Sequence, residues 1–152
     1  ITEDLAVSFD KYSSDGSEIW GNINYNYNST NAQYSGELLN NGVSIVNPNG
    51  TMKWDGTFTL TKTSTSGTVS SADDIYEFEC TTTGIDFEQT SFTYITSVNH
   101  IIDFSCSEYI TSGTSILKPN EKGSQTINFG NGNCDANGVI QLNNGSEKNF
   151  TF

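Results

Sequence analysis

The chain contains no arginine; six lysines stand against eighteen acids, for a net charge of −12. Nucleic-acid binding needs clustered Lys and Arg to displace counterions from phosphates, so that class of partner is excluded. Anionic membrane surfaces are disfavoured on the same ground. No apolar run approaches the ~18 residues that a membrane-crossing helix needs, so no transmembrane segment is expected. His100 is the single histidine and no Gly-x-Ser-x-Gly element accompanies it, which leaves no serine-hydrolase pattern. No Cys-x-x-Cys or Cys/His spacing marks a metal site. No segment sustains a 3.6-residue apolar period, so amphipathic helices are not the building unit.

What the chain does have is alternation at a period of two. In Ile19–Asn28 the odd positions carry Ile23, Tyr25 and Tyr27, and the even ones carry Trp20 and an asparagine row. In Thr57–Thr63, Phe58 and Leu60 oppose a threonine row. Tyr76, Phe78 and Cys80 share one face of the next run, followed by Phe92, Tyr94 and Val98, then Ile102, Phe104 and Cys106. These are strands with one wet face. Turn signals separate them: Ser14-Asp15-Gly16, Asn40-Asn41-Gly42, Asn47-Pro48-Asn49-Gly50, Thr65-Ser66-Gly67, Asn120-Glu121-Lys122-Gly123, Gly130-Asn131-Gly132 and Asn143-Asn144-Gly145. Thr63–Asp74 reads as a long mobile hairpin loop. The length fits one domain, 1–152. The expected fold class is all-β, an antiparallel β-sandwich of about nine or ten strands joined by hairpins. Hydrophobic residues make up only 34% and aromatics 12%, so the core must rest on a few large rings.

The three cysteines are Cys80, Cys106 and Cys134. Cys80 continues the apolar face of its strand and reads as a free buried thiol. Cys134 sits in a turn, and we expect it to form a disulfide with Cys106, which requires an oxidising compartment. His100 reads as a partly exposed strand residue. No catalytic residue and no metal ligand set is assigned. Asn131, Asn133, Asp135 and Asn137 alternate as Ca²⁺ ligands do, but Ala136 and Leu142 break the loop pattern. Asp10, Asp15 and Glu18, and Asp73-Asp74, are further acidic loops, and apart from such a weak Ca²⁺ option no cofactor is expected. Carboxylate pairs of the glycosidase kind arise by chance among so many acids. The N-x-[ST] triplets at Asn28, Asn49, Asn144 and Asn149 are also no more frequent than chance allows. The aromatic candidates are Trp20 and Trp54. Trp20 lies on the face of Asn22 and Asn24, where an indole could stack on a sugar ring while the amides bond its hydroxyls.

One segment is more specific. Gly130-Asn131-Gly132-Asn133-Cys134-Asp135-Ala136 links two short strands. It resembles the Gly-Asp-Gly-Thr-Cys-Asp-Asn turn of secreted lipoproteins of Bacteroidota, chiefly flavobacterial ones, with Asn for its Asp and Thr and Ala for its last Asn. Cys106-Ser107-Glu108-Tyr109-Ile110-Thr111-Ser112-Gly113 is similar to that family's Cys and Ile-x-x-Gly element. Trp54-Asp55-Gly56-Thr57-Phe58-Thr59-Leu60-Thr61 looks like its Gly-Thr strand. The resemblance implies an exported, cell-envelope β protein and supplies no catalytic residues.

The opening Ile1-Thr2-Glu3-Asp4 has no signal-peptide pattern, so a mature or trimmed form is expected, located outside the cell or in its envelope. The expected role is a surface structural, adhesive or assembly module without catalytic activity. It would pair with a protein partner or itself, and Ile1–Phe9 is a strand for exchange between subunits. The alternative is a carbohydrate-binding module that takes a glycan on its exposed aromatics.

Overall fold

In the computed structural model, the described residues are 2–14, 16–64, 71–106 and 110–152. They form ten strands: β1 (Thr2–Ser14), β2 (Ser17–Asn28), β3 (Gln33–Asn47), β4 (Gly50–Ser64), β5 (Ile75–Ile85), β6 (Ser91–Asp103), β7 (Ile110–Pro119), β8 (Gln125–Asn131), β9 (Asn137–Gln141) and β10 (Glu147–Thr151). A 3₁₀ turn, Ser71–Asp73, precedes β5. No helix among the described residues is long and apolar enough to cross a membrane.

Every strand pairs antiparallel with its sequence neighbours, and one sheet takes all ten in the order β1 to β10. The all-β antiparallel class is therefore as the alternation predicts. Among the described residues no second hydrogen-bonded sheet is present, as a sandwich would have, and all substantial strand contacts are between neighbours. The accessible surface is 9185 Å² for 16.6 kDa, whereas a compact monomer of that mass exposes roughly 7,600 Å². Among the described residues only Val43 and Cys106 are fully buried apolar side chains.

The apolar face covers itself sideways. Phe58 stands in register with Gly36, Phe92 with Gly84, and Phe150 with Gly138. In each pair the far end of the ring occupies the space a Cβ of the glycine would need. A ring laid on a bare backbone buries apolar surface without a second layer. The rings then meet across the strands in T-shaped, tilted and stacked contacts. Tyr25–Phe58, Phe58–Phe78, Phe78–His100, His100–Phe129 and Phe129–Phe150 have centroids 5.5, 6.1, 5.9, 4.7 and 6.0 Å apart. Such contacts contribute about 0.5–1.5 kcal/mol each beyond area burial.

The Asn47-Pro48-Asn49-Gly50 signal closes the β3–β4 hairpin, where the Asn47 side chain accepts the Asn49 N–H at 2.9 Å. Asn40-Asn41-Gly42 does not turn the chain. It is a bulge inside β3, between the pairs Leu38–Gly56 and Val43–Trp54. Both flanks stay paired to β4, so the extra residues are absorbed, with Gly42 at φ +71°. The Thr65-Ser66-Gly67 signal and the middle of the expected long loop lie outside the described residues, as do Asp15 and Ser107-Glu108-Tyr109.

Gly36→Val is expected to lift the Phe58 ring and cost about 1–3 kcal/mol in urea unfolding. Phe58→Ala should then cost less in the Gly36→Val background than in the wild type, because the ring is already displaced.

Candidate functional site

The alternation sends the rings to one face and Asn, Thr, Asp and Glu to the other. On the polar face, side chains bond across strands: Asn26 donates to Asp4 at 2.6 Å, Thr59 to Glu79 at 2.8 Å and Asn99 to Glu77 at 3.1 Å. An open trough of about 910 Å³ crosses β1 to β6. Asn24, Asn26, Glu37 and Thr59 line it together with Tyr25 and Phe58.

Trp20 is half-buried at a separate recess of about 550 Å³, with Ser44, Thr51, Lys53 and Gln89. Asn22 and Asn24 lie along the same face of β2, and only Asn24 lines the large trough. Trp54 is in register with Val43 and Gly84 and belongs to the ring face. The sheet thus puts Trp20 and Trp54 on opposite sides and does not gather the two indoles into one site.

Cys106 and Cys134 are joined by a disulfide with Cα atoms 5.2 Å apart. It ties the end of β6 to the β8–β9 turn across β7 and contributes about 2–4 kcal/mol. Cys80 is free and half-buried. Burial pushes its thiol pKa up, against a weaker opposing pull from the Thr96 hydroxyl 3.6 Å away. That thiol is a poor nucleophile.

Alternation alone missed the centre of the sheet. His100 is 2% exposed and Ser115 is 0% exposed, so the expectation of a partly exposed histidine is corrected. Phe78 and Phe129 flank the imidazole, and it packs on Gly113, which sits at φ +127° with no room for a Cβ. The His100 Nε2 and the Ser115 hydroxyl are 2.8 Å apart. Burial lowers the His100 pKa, with no charged neighbour contributing. This is the contact of a nucleophile with its base, but Ser115 is shut from solvent and no carboxylate among the described residues bonds the ring. The pair binds β6 to β7. The only signal for it in the sequence was the run of small side chains at Thr111, Gly113 and Ser115 facing a strand of large ones.

Among the described residues no cluster of three or more His, Cys, Asp or Glu could hold a metal ion. Asp135, within the calcium-like stretch, accepts the Asn137 N–H at 3.0 Å as an Asx turn does. Asp74 is buried and held by Lys62 Nζ at 2.6 Å. The hydrogen bond that Lys62 donates to the Asp74 carboxylate is the main reason that the Lys62 pKa is raised. Glu18 pairs with Lys11 at 3.3 Å.

No protein-family model, no curated protein and no solved structure matches this chain.

Exposed large apolar side chains stand inside the sheet as well as at its margins: Val98 of β6 is 59% exposed. Among the described residues neither the outer edge of β1 nor that of β10 is paired. Leu5 and Tyr12 on β1 are 62% and 59% exposed, and Phe152 just after β10 is 40% exposed.

His100 also sets a pH dependence. Its folded pKa lies below the ~6.5 of an unfolded histidine, so the unfolded chain takes up the proton first as pH falls. The His100 contribution to stability is complete above that value and is lost progressively below it. The urea midpoint should therefore drop from pH 7 to pH 5, and His100→Gln should flatten that slope.

Proposed function

We propose that this chain is an exported, non-catalytic structural module that acts by self-association through its sheet. The single observation behind this reading is the single-layer sheet of ten strands, with no second layer packed on it among the described residues. Among the described residues Val43 and Cys106 are the only buried apolar side chains, and the outer edges of β1 and β10 are unpaired beside exposed Leu5 and Phe152. Long free edges and exposed apolar side chains are costly for a solitary protein and useful for one that assembles. The disulfide supports export, since such bonds persist in oxidising compartments. The turn around Cys134 supports a place in the cell envelope through its likeness to the secreted lipoproteins. The dense negative charge keeps separate chains soluble before they meet.

The test is molar mass by light scattering across a concentration series. Mass should rise with concentration and fall back on dilution; a constant mass of 16.6 kDa would overturn the reading.

The Trp20 recess favours a second reading. An indole beside Ser44, Thr51, Lys53 and Gln89 has the mixture of stacking surface and donors that sugar rings use. In that case a glycan array should give hits that Trp20→Ala abolishes and Trp54→Ala leaves intact, because Trp54 faces the other way.

A further inference from the structure

We propose that the Trp20 recess takes a carboxylated sugar, a hexuronate, with the sugar ring stacked on the indole and its carboxylate paired with Lys53. The proposal rests on the glycan reading of this recess and names the class of sugar. It does not depend on self-association.

Register puts the groups on one face. Trp20 stands opposite Ser44, Ser44 opposite Lys53, and Lys53 opposite Ile85. Directly opposed residues of a sheet point the same way. Val46 and Thr51, paired with each other and two residues along from Ser44 and Lys53, share that face. Trp20 and Lys53 are two strands apart, roughly 10 Å between backbones. Gln89 joins them from the β5–β6 turn. There Asp86 Oδ1 accepts the N–H of Glu88 at 2.9 Å and that of Thr90 at 2.8 Å, and Gln89 between them sits at φ +63°. That conformation is unfavourable for a residue with a Cβ. It brings the Gln89 amide back to β4, where Nε2 donates to the Thr51 carbonyl at 3.3 Å.

Charge chooses the class of sugar. Lys53 is the one charged side chain lining the recess, and among the described residues it forms no ion pair. The acids near it are engaged elsewhere. Glu18, two residues before Trp20, pairs with Lys11 at 3.3 Å, and Asp55, two residues after Lys53, accepts the Thr83 hydroxyl at 3.0 Å. A neutral sugar presents hydroxyl donors, which carboxylates accept well, and no carboxylate lines this recess. A uronate presents an anion, which an unpaired ammonium meets with a charge-assisted hydrogen bond. The large trough has the opposite character: Asp4, Glu37 and Glu79 line it and no lysine does, so it repels the same ligand. The chain's other acids act at a distance, where salt screens them beyond about 8 Å at physiological ionic strength. An adjoining recess of about 810 Å³ shares Lys53 and Ile85 and adds Asp55, Lys118 and Glu121. Hydroxyls of a further sugar unit find acceptors and a donor there.

The experiment is calorimetric titration with oligosaccharides of galacturonate, glucuronate, mannuronate and guluronate, each beside its carboxyl-reduced neutral counterpart. The proteins are the wild type, Lys53→Gln, Lys53→Arg, Lys148→Gln and Trp20→Ala, with folding checked by circular dichroism. At least one acid should bind the wild type about tenfold more tightly than its neutral counterpart, and added salt should narrow that gap. Lys53→Gln should erase the gap and Lys53→Arg should keep it. Lys148→Gln, which removes the same charge from β10, should leave it unchanged. Trp20→Ala should lose both ligands; if it fails to fold, Trp20→Phe replaces it and should weaken both. Lys53 is exposed, so its variants keep the fold. If no acid is preferred over its neutral counterpart, or the preference survives Lys53→Gln, the uronate proposal is overturned, while neutral sugars lost in Trp20→Ala would still uphold the glycan reading. If no sugar binds, here or on a glycan array, the glycan reading falls as well.

Discussion

The structure depends on rings lying down on neighbouring backbone. A sheet with one apolar face ordinarily needs a second layer to cover it. Here Phe58, Phe92 and Phe150 each cover a glycine directly across from them, and the rings pack against one another along the sheet. The apolar surface is thus removed from water within one layer, at half-burial for most rings. That arrangement explains the large accessible surface and the scarcity of buried aliphatic side chains among the described residues.

The most secluded place is polar. Around His100 and Ser115 the sheet reaches nearly complete burial, and the two side chains satisfy each other. Tyr94 is drawn into the same neighbourhood: burial raises its phenol pKa, and the Ser115 hydroxyl pulls the other way. A buried neutral histidine holds its geometry only while uncharged. The disulfide lies close by in the fold, between the end of β6 and the β8–β9 turn, so the middle strands are held by covalent and polar links as well as by rings.

Much of this was legible as a one-dimensional pattern. Alternation located the strands, and Asn47-Pro48-Asn49-Gly50 and Asn143-Asn144-Gly145 mark real hairpins. Parity also carried the separation of the two indoles: Trp20 shares the even positions of β2 with asparagines, whereas Trp54 shares the even positions of β4 with Phe58 and Leu60. The number of layers was not legible, because whether a phenylalanine meets a glycine depends on register, and register depends on bulges. Asn40-Asn41-Gly42 shows the difficulty, since the same residues serve a turn or a bulge and only the pairing on both flanks decides. The contact of His100 with Ser115 is set by irregular pairing between β6 and β7, which no local spacing reveals. Leu5 and Phe152 stand exposed at the margins of the described sheet.

The strictly sequential strand order has a kinetic meaning. Each strand needs only the one before it, so every closure spans a short loop and little entropy is lost per step. Growth can begin at any hairpin and spread both ways, as in linear repeat arrays. Opening follows the same track in reverse, starting at the terminal strands, while the cystine-clamped interior is the last to exchange its amide protons.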